Sequence, residues 1–90
     1  MEFRLTRHVR EELLNRAIPE HLLNAVLEYP QQVVRQPDGR QAYQSLFDFG
    51  GGKLYLLRAI VEDTTDPAAV VTIYRTGKVG KYWRDHESDL

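Results

Sequence analysis

The sequence predicts an α+β fold, with two N-terminal helices packed on one face of a four-stranded antiparallel sheet and a short extra strand at the N-terminus. Three observations lead there. Apolar residues recur at helical spacing in two segments before Pro30, the period changes to two from Val33 onward, and Gly- and Pro-bearing turns divide the second half into consecutive hairpins. With 90 residues, 42% hydrophobic and 28% charged, the chain suits a single domain spanning residues 1–90 around one core.

Glu2-Phe3-Arg4-Leu5-Thr6 alternates polar and apolar, as a short half-buried strand does. Thr6 is placed to cap a helix from Arg7 to Arg16, with Val9, Leu13 and Ala17 on a buried stripe beside Leu14. Its other face carries Arg10, Glu11, Glu12, Asn15 and Arg16, and Glu12 to Arg16 is the favourable order for an i,i+4 ion pair. Pro19 suits the first turn of a second helix, because its missing N–H has no intrahelical partner there. Leu22, Val26 and Tyr29 mark that helix's buried stripe, Leu23 and Leu27 widen it, and Pro30 ends it. Val33-Val34-Arg35 then begins a strand, and Pro37-Asp38-Gly39 turns the chain into the next, Arg40 to Phe49, with Tyr43, Phe47 and Phe49 on one side. Gly50-Gly51-Gly52 leads into Lys53 to Glu62, which is apolar on nearly both faces and therefore central. Asp63 to Pro67 forms the last turn and Ala69 to Arg75 the last strand.

The composition closes several routes. Without cysteine there is no disulfide scaffold, thiol nucleophile or Cys-based metal site, and no apolar run approaches the roughly 18 residues of a membrane span. Met1-Glu2-Phe3-Arg4 does not begin a signal peptide, so the expected compartment is a reducing cytoplasm. Gly50-Gly51-Gly52-Lys53 lacks P-loop spacing, no Ser occupies a nucleophile-elbow context, and His8, His21 and His86 lie too far apart for a zinc motif. Neither a metal nor a cofactor is expected.

The net charge of −1 conceals a division along the chain. Residues 30–84 carry eight basic and five acidic side chains, whereas residues 85–90 carry three acids and no base, an acidic tail expected to fray. From Val71 to Arg84, Arg75, Lys78, Lys81 and Arg84 meet no acid and are interleaved with Tyr74, Tyr82 and Trp83. Cations bind phosphates and aromatic faces stack on unpaired bases, so this mixture suits single-stranded nucleic acid; the plainer alternative is a solvated edge strand whose aromatics close the core. Arg58 interrupts an otherwise buried strand. It either pairs with Asp48 on the neighbouring strand or faces an open sheet surface, where it can stabilise charge on a transferring phosphate. His8, just inside the first helix, is either a general acid or base or an ordinary helix-surface histidine.

Thr6-Arg7-His8, Arg16-Ala17-Ile18, Tyr43-Gln44-Ser45, Tyr55-Leu56-Leu57-Arg58, and Val71-Thr72-Ile73-Tyr74-Arg75-Thr76 followed by Lys78 and Lys81-Tyr82-Trp83 resemble a family of small bacterial proteins, frequent in cyanobacteria and mostly catalogued as a domain of unknown function. That family looks like a relative of the RelE, ParE and BrnT toxins. The resemblance spans roughly residues 3 to 84, and Ala17 stands where Gly is usual and Gly77 where many relatives have Ser. It implies a RelE/ParE-like fold and the toxin of a type II toxin–antitoxin pair, a metal-independent endoribonuclease partnered by a small antitoxin. In that scheme Arg58 and Lys78 stabilise phosphate charge and His8 or Tyr74 moves protons. Arg40, Tyr43, Arg75, Lys81, Tyr82 and Trp83 hold RNA, either free or on the ribosome. ParE-like relatives inhibit a protein target and are not nucleases, so a noncatalytic interaction module, monomeric or self-associating, is the alternative.

Overall fold

In a computed structural model of the chain, which describes residues 2–85, Thr6 is extended and its Oγ1 accepts the backbone N–H of Val9 at 3.2 Å. This satisfies one of the donors that a helix start leaves unpaired, and helix α1 runs from there over Arg7–Asn15, after strand β1 at Phe3–Leu5. The expected acidic tail lies, apart from Asp85, outside the described residues. Helix α1 ends in a Schellman motif: Ile18 N–H donates to Leu13 O at 2.9 Å and Ala17 N–H to Leu14 O at 3.3 Å, with Ile18 and Leu13 both in the core.

The motif needs a left-handed residue, and Ala17 supplies it at φ 52°. A Cβ there costs about 1 kcal/mol relative to glycine. Ala17→Gly is therefore expected to raise the melting temperature by roughly 4–8 °C, measured by thermal unfolding.

Helix α2 spans Glu20–Glu28, with Pro19 at its extended N-cap, one position earlier than its expected place in the first turn. Strands β2 (Gln32–Arg35), β3 (Gln41–Asp48), β4 (Leu54–Glu62) and β5 (Ala68–Thr76) follow, and a short helix α3 (Val79–Tyr82) comes last. In the β3–β4 turn, glycines 50, 51 and 52 all adopt positive φ, which is why three glycines stand there.

The sheet order is β1-β5-β4-β3-β2. Three hairpins make β2 to β5 antiparallel, but β1 lies parallel to β5, pairing Phe3, Arg4 and Leu5 with Ala68, Ala69 and Val70. The sheet is thus five-stranded and mixed, not wholly antiparallel. The N-terminal strand reaches this edge because the two helices carry the chain across to the opposite edge, where β2 begins. β4 is central, as its apolar sequence requires.

Alternation divides the sheet into two faces. Leu57, Ala59, Val61 and Ile73 pack with Val9, Leu13, Leu23, Val26 and Leu27 of the helices, flanked by Tyr43, Phe47 and Phe49. The other face presents a cross-strand row, Gln32, Gln44, Arg58 and Tyr74, one from each antiparallel strand.

Three expectations about the helices are corrected. Ala17 is exposed and so is Leu14, at 83%, and Ile18 joins Val9 and Leu13 in the core instead. Tyr29 leaves the helix at φ −136° and is exposed, while Leu23, Val26 and Leu27 are buried as expected. Glu12, read as a surface residue, is only 6% exposed. β5 outruns the three-residue β1, which leaves its edge open beyond Val70, and Glu12 fills the gap. Its Oε1 accepts Ile73 N–H at 2.8 Å and its carboxylate accepts Thr72 Oγ1–H at 2.8 and 2.9 Å, while the expected pair with Arg16 forms at 3.3 Å.

Candidate functional site

The central side chain is Arg58, buried to 3% exposure between Leu56 and Ile60 on the face away from α1 and α2. Asp48 does not pair with it. Asp48 stands opposite Leu54, at the far end of the ladder, and its Oδ1 accepts Gly50 N–H at 2.7 Å within the turn. Among the described residues no carboxylate forms an ion pair with Arg58. Its partners are neutral: Nε donates to Gln44 Oε1 at 2.9 Å and Nη1 donates to the Tyr74 hydroxyl at 2.5 Å.

The face expected to be open is covered at this point. The Tyr82 ring of α3 lies over the guanidinium, its centroid 4.1 Å from Cζ, and Tyr74 stands edge-on to Tyr82 at 6.3 Å. Gln44, fully buried, donates from Nε2 to Gln32 Oε1 at 2.8 Å and to the Tyr82 carbonyl at 3.1 Å. Gln32 in turn accepts Arg84 N–H at 3.1 Å and donates to the Arg84 carbonyl. Two glutamines thus strap residues 82–84 across the sheet.

Sequence reasoning gave neither glutamine a role, although Gln44 stands in the Tyr43-Gln44-Ser45 motif. Their signal was the alternation of β2 and β3, which puts Gln32 and Gln44 on Arg58's face once the hairpin registers are known.

The pKa values of the two tyrosines move in opposite directions. Burial raises the Tyr74 pKa, partly offset by Arg58, so its phenol holds its proton. Hydrogen bonding to Lys81 leads the lowering of the Tyr82 pKa, with Tyr74 and Arg58 adding to it. Pairs of titratable groups pushed apart in this way are how acid and base roles are divided.

The other sequence candidates do not converge here. His8, its side chain 64% exposed, reaches Glu12 Oε2 at 3.2 Å, and the hydrogen bonds and ion pairs among the described residues join it to neither Arg58 nor Tyr74. Lys78 is exposed at the N-cap of α3. Tyr43 packs on the helix side against Phe3, ring centroids 5.6 Å apart, beside a cleft of about 370 Å³ that it lines with Leu27 and Tyr29. Trp83 is half-buried and Lys81 exposed, the latter with Nζ 5.2 Å from the Tyr82 ring. The basic and aromatic segment from Val71 to Arg84 is not one surface, because Arg75 points to the opposite face from Tyr74 and lies 4.5 Å over Phe49.

Arg40 pairs with Glu62 at 3.3 Å, near the β3 start and the β4 end. Hydrogen bonds from Thr64, followed by Arg40, hold the Glu62 carboxyl below the ordinary carboxylate range. Its contribution to stability is therefore complete above the unfolded pKa of about 4.3 and is lost as pH falls through the lower folded value. Thr64→Val is expected to melt below the parent protein at neutral pH, with the gap closing at the acid end of a thermal unfolding series.

Residues 5–75 match the family model described as Domain of unknown function (DUF4258). The chain belongs to the DUF4258 family. No curated protein and no solved structure gives a significant match. The DUF4258 span holds Gln32, Gln44, Arg58 and Tyr74 but ends at Arg75, so the α3 strap lies beyond it. Among the described residues of this DUF4258 chain, no group of three or more His, Asp or Glu gathers to hold a metal, and no helix is long and apolar enough to cross a membrane.

Proposed function

We propose that this DUF4258 chain is the toxin of a type II toxin–antitoxin pair and a metal-independent endoribonuclease acting at Arg58 and Tyr74, restrained by a small antitoxin protein. The observation that carries the proposal is a buried guanidinium with no acid partner among the described residues, bonded to the hydroxyl of a tyrosine that retains its proton. An uncompensated charge in such a place is costly, and a phosphate reaching the guanidinium beside the Tyr82 ring would neutralise it.

In this chemistry the RNA 2′-oxygen attacks the adjacent phosphorus and the bond to the 5′-oxygen breaks, leaving a 2′,3′-cyclic phosphate and a 5′-hydroxyl. Arg58 stabilises the charge gathering on the phosphate oxygens. Tyr74 gives its proton to the departing 5′-oxygen, and Tyr82, the more acidic phenol, takes the 2′-hydroxyl proton as its anion. Passing that proton from Tyr82 back to Tyr74 restores the starting state. His8 is left outside this scheme, engaged with Glu12.

The cover over Arg58 favours a second reading, a noncatalytic module in which Tyr82 and the glutamines keep the arginine as a structural cation. Induced expression separates the two. Growth arrest with RNA fragmentation, relieved by Tyr74→Phe and by co-expression of a cognate antitoxin, is the ribonuclease outcome. Arrest with intact RNA, or no arrest, belongs to the second reading.

A further inference from the structure

On the helix-bearing face of the sheet, at the end where β3 passes into β4 and β5 finishes, four side chains outside the Arg58 cluster meet. Phe49 and Tyr55 stand edge to face at 5.9 Å and 86°. The Arg75 guanidinium lies 4.5 Å over Phe49 and 5.2 Å from the Tyr55 centroid, and Lys53 Nζ is 5.2 Å from the same Tyr55 ring. Both cations are exposed, and neither takes part in the ion pairs among the described residues. The nearby Asp48 is committed to its turn. In the adjoining turn, Gly51 and Gly52 have no heavy atom within 4 Å of where a Cβ would stand.

We infer that Phe49, Lys53, Tyr55 and Arg75 form a binding site for an unpaired nucleotide of a single-stranded nucleic acid. In this site the Phe49 ring, 4.5 Å from Cζ, backs the exposed Arg75 guanidinium, whose outer face and N–H rim are offered to the ligand. A base stacks on that outer face, extending a pile of ring, planar cation and base, and the flanking phosphate meets the N–H rim and the Lys53 ammonium. Such contacts read no base edge and no 2′-hydroxyl, so RNA and DNA single strands are bound alike. Because Tyr74 and Arg75 are consecutive and point to opposite faces, a strand held here and led over the sheet end arrives at the Arg58 face. The assignment of this strand as substrate rests on the ribonuclease proposal, whereas the binding site itself does not.

The test is fluorescence anisotropy with a labelled, uncleavable 2′-O-methyl oligoribonucleotide, its DNA counterpart and the corresponding duplex. The wild-type chain is expected to bind both single strands in preference to duplex, more weakly as salt rises. Arg75→Lys keeps the charge and removes the plane, and is expected to weaken binding at least about 5-fold, the low end of a lost base stack. Lys53→Gln is expected to lower the affinity and the salt slope together, whereas Arg7→Gln on α1 changes neither beyond experimental error. No binding by the wild type, equal affinity for duplex, or full affinity in Arg75→Lys overturns the site. Single-strand binding by a protein that cuts no RNA leaves the site standing and removes the ribonuclease proposal. Cleavage that survives with binding indifferent to Arg75 removes the site alone.

Discussion

Tyr74→Phe is expected to lower RNA cleavage by about 100-fold or more while leaving a folded protein. The substitution removes only the oxygen that accepts the Arg58 Nη1 proton and, in the proposed chemistry, supplies the proton for the leaving 5′-oxygen. Loss of a positioned general acid costs roughly 10²–10⁴ in rate. The ring stays against Tyr82, and one hydrogen bond from a charged donor is worth about 1.5–3 kcal/mol, so the melting temperature falls by roughly 6–24 °C. Arg58→Met is expected to abolish cleavage with a comparable or smaller thermal effect, since it removes a buried charge along with its bonds. The pH dependence follows from the two phenols. The rate rises with pH as Tyr82, lowered below the usual tyrosine value, ionises, and falls where Tyr74, raised above it, loses its proton. A flat profile, or full activity in Tyr74→Phe, removes these two residues from the chemistry.

The largest loss of stability is expected from Glu12→Ala. This carboxylate accepts Ile73 N–H, Thr72 Oγ1–H and the Arg16 guanidinium, and it closes the edge of β5 that β1 is too short to cover. Removing it leaves the Ile73 amide buried and unpaired, and breaking such a network costs about 3 kcal/mol. For a domain of this size that lowers the melting temperature by roughly 12–24 °C. Glu12→Gln keeps one acceptor oxygen and is expected to lose about half as much. An Ala variant that melts within a few degrees of the parent would mean that water satisfies the strand edge.

These two residues also mark where the sequence is readable. The α1 cap, the glycine turn and the central position of β4 are written in local patterns: a Thr before a helical stripe, three glycines between strands, a strand apolar on both faces. Glu12 carries no such mark, because its burial depends on β1 ending at Leu5 opposite Val70, a relation between distant segments. Arg58 stood out as a charge in a buried strand, but its partner followed from register, which set Gln44 beside it and moved Asp48 to the turn. Helix α3 escaped notice because four residues give no helical period, and with it went the cover of Arg58 by Tyr82. The basic and aromatic segment was legible as a composition and not as a surface, since alternation sends Tyr74 and Arg75 to opposite faces.

The most direct measurement incubates the purified wild-type chain and its Tyr74→Phe variant with RNA in EDTA, with and without ribosomes, and reads both the fragments and their ends. The account expects wild-type cleavage with 2′,3′-cyclic phosphate and 5′-hydroxyl termini, and none above background from the variant. Intact RNA with the wild-type protein under both conditions, or cleavage that the variant retains in full, contradicts it.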